Sequence, residues 1–260
     1  MLKGGDGLFA LERQKRILNI LDSEGSVSVG RLSVELDVTE ETIRRDLEKL
    51  EKQECLRRTH GGAVPMDEGT YEVSLEKRKL INVEAKQKIA KEASKHIAPG
   101  DTIFLDASTT TFFIAKEIKT IKNITVITNS LRVVAELAGS EHIKLISVGG
   151  VASHNQSFIG TLAEKSIEEN YFASKMFFSS KGVTADAGIL ESNEQECGIK
   201  QKMIQNSKTR YYLCDKSKMG SVGFVKLTTF DKIDFLITDT DPDGALKEKF
   251  SENEIKLIKI

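Results

Sequence analysis

The sequence predicts an α/β protein in two parts: a small, mainly helical N-terminal module, then a larger C-terminal domain on a mostly parallel sheet. Two observations predict this. Up to about residue 65, apolar residues recur at helical spacing. After residue 83, short apolar runs alternate with helical stretches, as in sheets covered by helices on both faces. The 260 residues suffice for both parts, with a proper core in the larger one.

Three helices are predicted in the N-terminal module, which we place at residues 8–65. The first covers residues 8–22, with an apolar side formed by Leu11, Ile17, Leu18 and Leu21. Ser28 can cap a short second helix, and Thr39 can cap a third. The tight connection between these two makes residues 28–47 a helix-turn-helix.

The third helix has a narrow apolar stripe and a basic opposite face. Ile43, Leu47 and Leu50 recur at i, i+4 and i+7. At about 100° per residue, Arg45 points almost directly away from this stripe. A helix that is buried on one side and basic on the other fits the major groove of DNA. We expect groove contacts from Thr42, Arg44, Arg45 and Lys49.

A short basic run follows and turns on the glycine pair Gly61-Gly62. In a winged helix-turn-helix this run forms a hairpin along the phosphates. We therefore add Arg57, Arg58 and His60 to the predicted DNA-binding residues, with Ser28 and Thr39 at the helix starts. Two alternatives are a solvated amphipathic surface helix and a module that serves only protein assembly. The helix spacing and the outward position of Arg45 favour DNA binding.

Composition limits the other classes of function. Lys and Arg number 38 against 39 Asp and Glu, so DNA affinity must come from a local basic patch. No apolar run approaches 18 residues, and residues 1–7 are expected to be a frayed leader rather than a signal peptide. Three cysteines and four scattered histidines show no metal-ligand spacing. We expect a reduced cytoplasmic protein with no metal, no cofactor and no membrane partner.

Residues 66–82 are predicted as a linker, with a helical lead-in over 72–82, and residues 83–260 as the C-terminal domain. Strands are predicted at residues 102–105, 124–128, 144–148, 175–178, 209–214 and 235–238. Helices are predicted at residues 85–97, 110–118, 131–138, 162–170 and 194–207.

Polar and small residues follow most of these strands. The set comprises Asp106, Ser108, Thr109, Thr110, Asn129, Ser130, Gly149, Gly150, Lys181, Gly182, Asp215 and Lys218. Strand ends of an open α/β sheet meet at one edge, where ligands bind. Hydroxyl residues at a helix start suit an anion, the two lysines add charge, and Asp106, Asn129 and Asp215 could hold hydroxyls. These residue types suit a ligand that has a phosphate group and several hydroxyl groups. The alternative is that they form only ordinary helix caps and turns.

Two motifs are familiar. The run Thr42-Ile43-Arg44-Arg45-Asp46-Leu47 and the turn His60-Gly61-Gly62-Ala63 resemble the DeoR family of bacterial transcriptional regulators. Residues from about 80 to 260 resemble its effector domain, which is related in fold to ribose-5-phosphate isomerase and CoA-transferase-type enzymes. The resemblance implies a pocket for a phosphorylated sugar or related metabolite, with Lys181 and Glu194 at its far end.

We therefore predict a DNA-binding repressor of a sugar catabolic operon, controlled by a phosphorylated sugar. A homo-oligomer, dimer or tetramer, is expected because one module reads only half of a two-fold operator. The alternative is an isomerase-like enzyme with an appended nucleic-acid-binding module, in which Asp106, Glu194, Asp215 and Lys218 move a proton between sugar carbons. The fused module favours sensing, so we predict no catalytic residues.

Overall fold

A computed structural model describes residues 10–66, 73–242 and 244–260. The chain divides into two compact units, Met1–Val83 and Glu84–Ile260. The first is mainly helical with a small antiparallel sheet, and the second is an α/β unit with a parallel sheet. The predicted fold class is confirmed.

The first unit contains the expected helices and hairpin. Its elements are α1 (Ala10–Glu24), β1 (Val27–Ser28), α2 (Val29–Glu35), α3 (Glu40–Lys52), β2 (Arg57–Thr59), β3 (Gly62–Val64) and α4 (Leu75–Leu80). The three strands form an antiparallel sheet in the order β1-β3-β2. A Cβ on Gly62 would lie 1.8 Å from the carbonyl oxygen of Val27, so only glycine allows β3 to approach β1.

Helices α1 and α3 form the centre of the first core. The stripe of Ile43, Leu47 and Leu50 is buried as predicted. Leu11 was expected on the apolar side of α1, but it is 57% exposed and lies in the first turn of the helix, outside the core. Helix α4 lies within the predicted linker, and its Leu80 packs into this core. The part of the linker described after residue 72 is therefore not an extended spacer.

The second unit has six helices and twelve strands within the described residues. The helices are α5 (Val83–Ser94), α6 (Thr109–Glu117), α7 (Leu131–Leu137), α8 (Thr161–Asn170), α9 (Glu194–Gln205) and α10 (Gly244–Glu252). The main sheet contains β4 (Thr102–Leu105), β5 (Ile124–Thr128), β6 (Ile143–Ser147), β9 (Ala173–Phe178), β12 (Ser207–Cys214), β14 (Phe235–Thr238) and β15 (Lys256–Lys259). The others are β7 (Val151–Ala152), β8 (Phe158–Ile159), β10 (Gly182–Thr184), β11 (Gly188–Glu191) and β13 (Val225–Thr228).

The seven main strands are all parallel, in the order β15-β14-β12-β9-β4-β5-β6. Strands β7 and β8 form a hairpin, and β10, β11 and β13 form a small antiparallel sheet. Alternate side chains of one strand enter different cores: Phe178 packs on one face of the sheet and Phe177 on the other. Strands β5 and β6 lie on one side of β4. The later strands β9, β12, β14 and β15 lie on its other side, so the direction in which successive strands are added to the sheet reverses between β4 and β9. This reversal is where open α/β sheets bind ligands.

Candidate functional sites

Helix α3 presents the predicted basic face. The hydroxyl of Thr39 accepts the backbone N–H of Thr42 at 3.2 Å and so caps the helix, as the sequence predicted. The Arg45 side chain is 78% exposed, and that of Arg44 is 51% exposed. Lys49 is exposed as well, and Thr42 is half-buried. The arginines are therefore accessible to a partner.

Each arginine of this face is paired with a glutamate one turn earlier. Arg44 bonds to Glu40 at 2.5 Å, and Arg45 bonds to Glu41 at 3.2 Å. Both pairs are solvent-exposed, so each contributes little to stability and is easily exchanged for another anion. The glutamates orient the guanidinium groups without burying them.

The hairpin of β2 and β3 completes the basic surface. Arg57, Arg58 and His60 are all exposed on it. The backbone N–H of Arg58 donates to the Glu51 carboxylate of α3 at 2.8 Å, which fixes the hairpin to the helix. A cleft of about 220 Å³ lies between α3 and the hairpin, with Arg44, Arg58 and His60 in its wall. Ser28 caps α2 by accepting the N–H of Arg31 at 3.3 Å.

Asp46, within the familiar motif, is a structural residue that sequence reasoning did not assign. It is 5% exposed and accepts from Arg13 at 2.5 Å and from Gln14 at 2.9 Å, both on α1. These bonds fix the rotation of α3 and so the direction of its basic face. The available signal was position, because Asp46 precedes Leu47 on the buried side of the helix.

The start of α6 lies at the carboxyl end of β4. Ser108 caps this helix by accepting the N–H of Thr111 at 3.2 Å. The three threonines that follow, Thr109, Thr110 and Thr111, are no more than 5% exposed. We call these four residues, together with Asn129, Ser130, Ser179 and residues 215–218, the tip cluster.

Behind the tip cluster lies a buried ion cluster of Asp106, Glu191 and Lys200. The Lys200 ammonium is 2.5 Å from Glu191 and 3.1 Å from Asp106, and it donates to the carbonyl of Ser179 at 2.9 Å. Both acids and the lysine are at most 6% exposed. The ion cluster ties the ends of β4, β9 and β11 to α9.

Asp106 was expected to hold a ligand hydroxyl, and in the structure its carboxylate has partners inside the protein. It is fully buried, and its two oxygens accept from Ser108 N at 3.1 Å, Thr111 Oγ1 at 2.8 Å and Ser179 N at 3.2 Å. Burial alone would raise the pKa of Asp106, but Lys200 and these hydrogen bonds outweigh it and hold the pKa below its usual value. The carboxylate therefore holds the loop after β4 to the end of β9 and to Lys200.

Asn129 and Ser130 link β5 to α7. Ser130 caps α7 by accepting the N–H of Val133 at 3.3 Å. The Asn129 amide donates to the carbonyl of Phe158 at 3.2 Å, which holds β8 beside this turn. Thr110 Oγ1 and Asn129 Oδ1 are buried, and neither has a hydrogen-bond partner within the described part of the chain. Buried polar atoms are rarely left unsatisfied, so a bound ligand is one explanation.

The glycines expected at the site have backbone roles. Gly150 has a φ of 148°, and a Cβ there would lie 2.7 Å from the carbonyl oxygen of Ile159; neighbouring Gly149 is exposed. A Cβ on Gly182 would lie 2.1 Å from the Ser221 carbonyl oxygen. Both positions therefore allow close approach of two chain segments.

The charged residues after β12, Asp215 and Lys218, lie close together, whereas Lys181 follows β9. Lys218 bonds to the hydroxyl of Ser179 and lies 3.9 Å from Asp215, which is 2% exposed and accepts from Ser217. Burial would raise the pKa of Asp215, but Lys218, Lys86 and Ser217 outweigh it and hold the pKa below its usual value. Lys181 is half-buried, with its backbone N–H donating to Leu190.

Glu194 is exposed in the first turn of α9, so it does not form part of the buried site as described. The buried carboxylate of this turn is Glu196, 6% exposed, which accepts from Ser157. Glu196 and Lys200 were missed by sequence reasoning. The sequence does contain a sign of their burial: the two charged residues are spaced i and i+4, on the same side of the helix as Met203.

Among the described residues, no group of three or more histidine, cysteine or acidic side chains could hold a metal ion. No helix in the described ranges is long and apolar enough to span a membrane.

A capped helix with exposed arginines, a basic hairpin and a separate α/β unit define a winged helix-turn-helix regulator with a second domain. Residues 13–68 match the DeoR-like helix-turn-helix domain, and residues 81–240 match the DeoR C-terminal sensor domain. The chain belongs to the DeoR family of transcriptional regulators. It is a DNA-binding regulator of transcription, as the sequence predicted.

Similar proteins extend over nearly the whole chain. The HTH-type transcriptional regulator YulB of Bacillus subtilis is 40% identical, over 96% of each chain. The lactose phosphotransferase system repressor of Streptococcus mutans is 34% identical, over 94% of this chain and 98% of its own. Ribose 5-phosphate isomerase A of Methanocaldococcus jannaschii matches 53% of this chain and 55% of its own, at 18% identity and a TM-score of 0.40. The family assignment does not depend on this last match.

Proposed function

We propose that this protein represses a sugar catabolic operon and that a phosphorylated sugar at the tip cluster controls its affinity for the operator. Arg45 carries the DNA-binding part of the proposal, because it is 78% exposed on a helix whose opposite face is buried. Arg44, Thr42 and Lys49 accompany it at the groove. Arginine forms the bidentate contact with guanine that specifies sequence most often.

The hairpin supplies the contacts that position the module. Arg57, Arg58 and His60 lie along the phosphates, and the capped starts of α2 and α3 at Ser28 and Thr39 face the same backbone. Phosphate contacts of this kind set orientation rather than sequence preference. On binding, phosphates and bases replace Glu40 and Glu41 as partners of the two arginines.

The sensor part of the proposal depends on the tip cluster. The start of α6, the hydroxyls of Thr109 and Thr110, and Lys218 suit a phosphate group. Asn129 and Asp215 suit hydroxyls of the sugar, while Ser108, Ser130, Gly149, Gly150 and Gly182 shape the loops and Lys181 adds charge. The similarity to a lactose phosphotransferase system repressor supports the choice of ligand class. A ligand that prefers one conformation shifts operator affinity by about 5- to 150-fold.

Assembly and location complete the proposal. A single winged module covers half of a two-fold site, so the protein acts as a homodimer or higher homo-oligomer. It works in the cytoplasm, where the operator DNA is. The isomerase alternative is disfavoured because Asp106, its best-placed base, is locked to Lys200.

One experiment tests the DNA-binding part. The full chain selects its preferred sequence from a pool of random duplexes, and fluorescence anisotropy measures the affinity of variants for it. Arg45→Ala should weaken binding by about 5- to 150-fold, since a bidentate base contact contributes about 1–3 kcal/mol. The melting temperature should hardly change, because the side chain is exposed. Arg16→Ala, an exposed arginine of α1, is the matched control. Retention of wild-type affinity and selectivity by Arg45→Ala would refute the proposed role.

A further inference from the structure

Glu41, in the first turn of α3, was not among the predicted DNA-binding residues. Its side chain is 63% exposed, and its carboxylate accepts from Arg45 Nε at 3.2 Å. At about 100° per residue, both side chains lie on the side of α3 opposite the buried apolar stripe. An acidic and a basic side chain are therefore presented together on the outward face of this helix.

Glu40 forms the same kind of ion pair one residue earlier but lies in different surroundings. It bonds to Arg44, and both residues line the cleft between α3 and the hairpin, together with basic residues of the hairpin. Its carboxylate therefore keeps basic neighbours when Arg44 contacts DNA. Glu41 is not among the residues that line this cleft, and the cation paired with it is Arg45.

Binding to DNA changes the surroundings of the Glu41 carboxylate. When the Arg45 guanidinium turns its donors to a guanine, the carboxylate loses its ion pair while it faces the polyanionic duplex. A charge that is desolvated without a partner opposes binding. The base edges of the major groove offer a partner, because the N4 amino group of cytosine donates a hydrogen bond and glutamate accepts it.

The position of Glu41 along α3 is also that of a base-reading residue. In helix-turn-helix proteins, the N-terminal residues of the second helix contact the base edges. Glu41 is in the first turn of that helix, and Arg45 follows it one turn later on the same face. The two side chains can therefore reach neighbouring base pairs.

We infer that Glu41 is a specificity-determining residue that accepts a hydrogen bond from the N4 amino group of an operator cytosine. This cytosine belongs to a base pair next to the guanine that Arg45 binds. The inference rests on the proposed function, because it requires that α3 lies in the major groove. Where the cytosine is absent, the carboxylate has no donor and weakens binding, so Glu41 also acts against non-specific sites.

Selection from random duplexes by the full chain tests the inference, with fluorescence anisotropy on the selected site and its single-base variants. The wild type should prefer cytosine next to the guanine whose preference is lost in Arg45→Ala. Glu41→Gln should shift this preference to adenine, because glutamine bonds to adenine N6 and N7. The ratio of the affinity for the cytosine site to that for the adenine site should fall by about 10- to 100-fold.

Two further variants separate base reading from the loss of a negative charge. Glu48→Gln is the matched control, because Glu48 lies two turns after Glu41 on the same side of α3 and pairs with Lys52. It removes the same charge away from the N-terminal residues that contact bases, so it should keep the base preference of the wild type. Glu41→Ala should bind all four bases at the cytosine position with similar affinity.

The inference and the proposed function can fail separately. If Glu41→Gln and Glu41→Ala keep the wild-type preference while Arg45→Ala loses its guanine, the assignment to Glu41 is wrong and the proposed role of α3 stands. If Glu41→Ala removes a preference for adenine instead of cytosine, the assignment to cytosine is wrong. If neither Arg45→Ala nor Glu41→Ala changes any base preference, the base-reading part of the proposed function is overturned together with this inference.

Discussion

The ion pair between Asp46 and Arg13 allows a quantitative prediction about the DNA-binding unit. Asp46→Asn keeps the shape of the side chain and an oxygen for Gln14, but it removes the charge that faces Arg13. Removing one partner of a buried pair costs about 3–5 kcal/mol. The two side chains keep 10% and 7% exposure, and Arg13 has further contacts, so we expect about 2–3 kcal/mol here.

Hydrogen exchange of the full chain measures this loss locally. Amides of α3 that exchange through opening of the first unit should exchange about 30- to 150-fold faster, because 1.4 kcal/mol corresponds to a factor of ten. Amides in the main sheet of the second unit should not change. Glu48→Gln is the control on the same helix, since its pair with Lys52 is exposed and contributes little. Equal exchange in α3 for the two variants would show that Asp46 does not hold the helix against α1.

Two further predictions concern titratable groups. The pKa values of Asp101, Asp106 and Asp215 are all lowered: burial would raise each of them, but hydrogen bonds and the lysines Lys175, Lys200 and Lys218 outweigh it. The stability that these acids contribute is therefore complete above the unfolded pKa of about 3.9, and it is lost as the pH falls through the lower folded values. The melting temperature should fall steeply below about pH 4. An unchanged melting temperature at pH 3 would contradict this prediction. Burial raises the pKa of the Cys55 and Cys197 thiols to about 11 and that of Cys214 to about 12, so a thiol reagent at pH 8 should modify all three slowly in the native protein and rapidly in urea. Rapid native labelling of any one would show that its thiol is accessible.

Much of the fold could be predicted because its elements carry local signals. Buried parallel strands are continuous apolar runs, and β4, β5 and β14 were predicted at the residues where they occur. Helix α3 has both a capping residue and an apolar stripe. By contrast, β15 has two lysines in four residues, since it lies at the edge of the sheet, and no apolar pattern marks it.

The tip cluster was harder to predict because its contacts join distant parts of the chain. A carboxylate directly after a strand is compatible with a ligand contact and with an internal ion pair. Only the strand order places Lys200 beside Asp106, and the sequence does not specify that order.

The order of strands also has a consequence for how the protein is made. Strand β4 lies in the middle of the main sheet, and its neighbour β9 follows it only after four other strands, β5 to β8, and three α-helices. Such distant pairing slows folding, because a long loop must close before the contacts form. The first unit needs only nearby segments, so it should fold while the ribosome is still adding the later strands. A nascent chain would then contain a folded DNA-binding unit before the sensor domain has been synthesised.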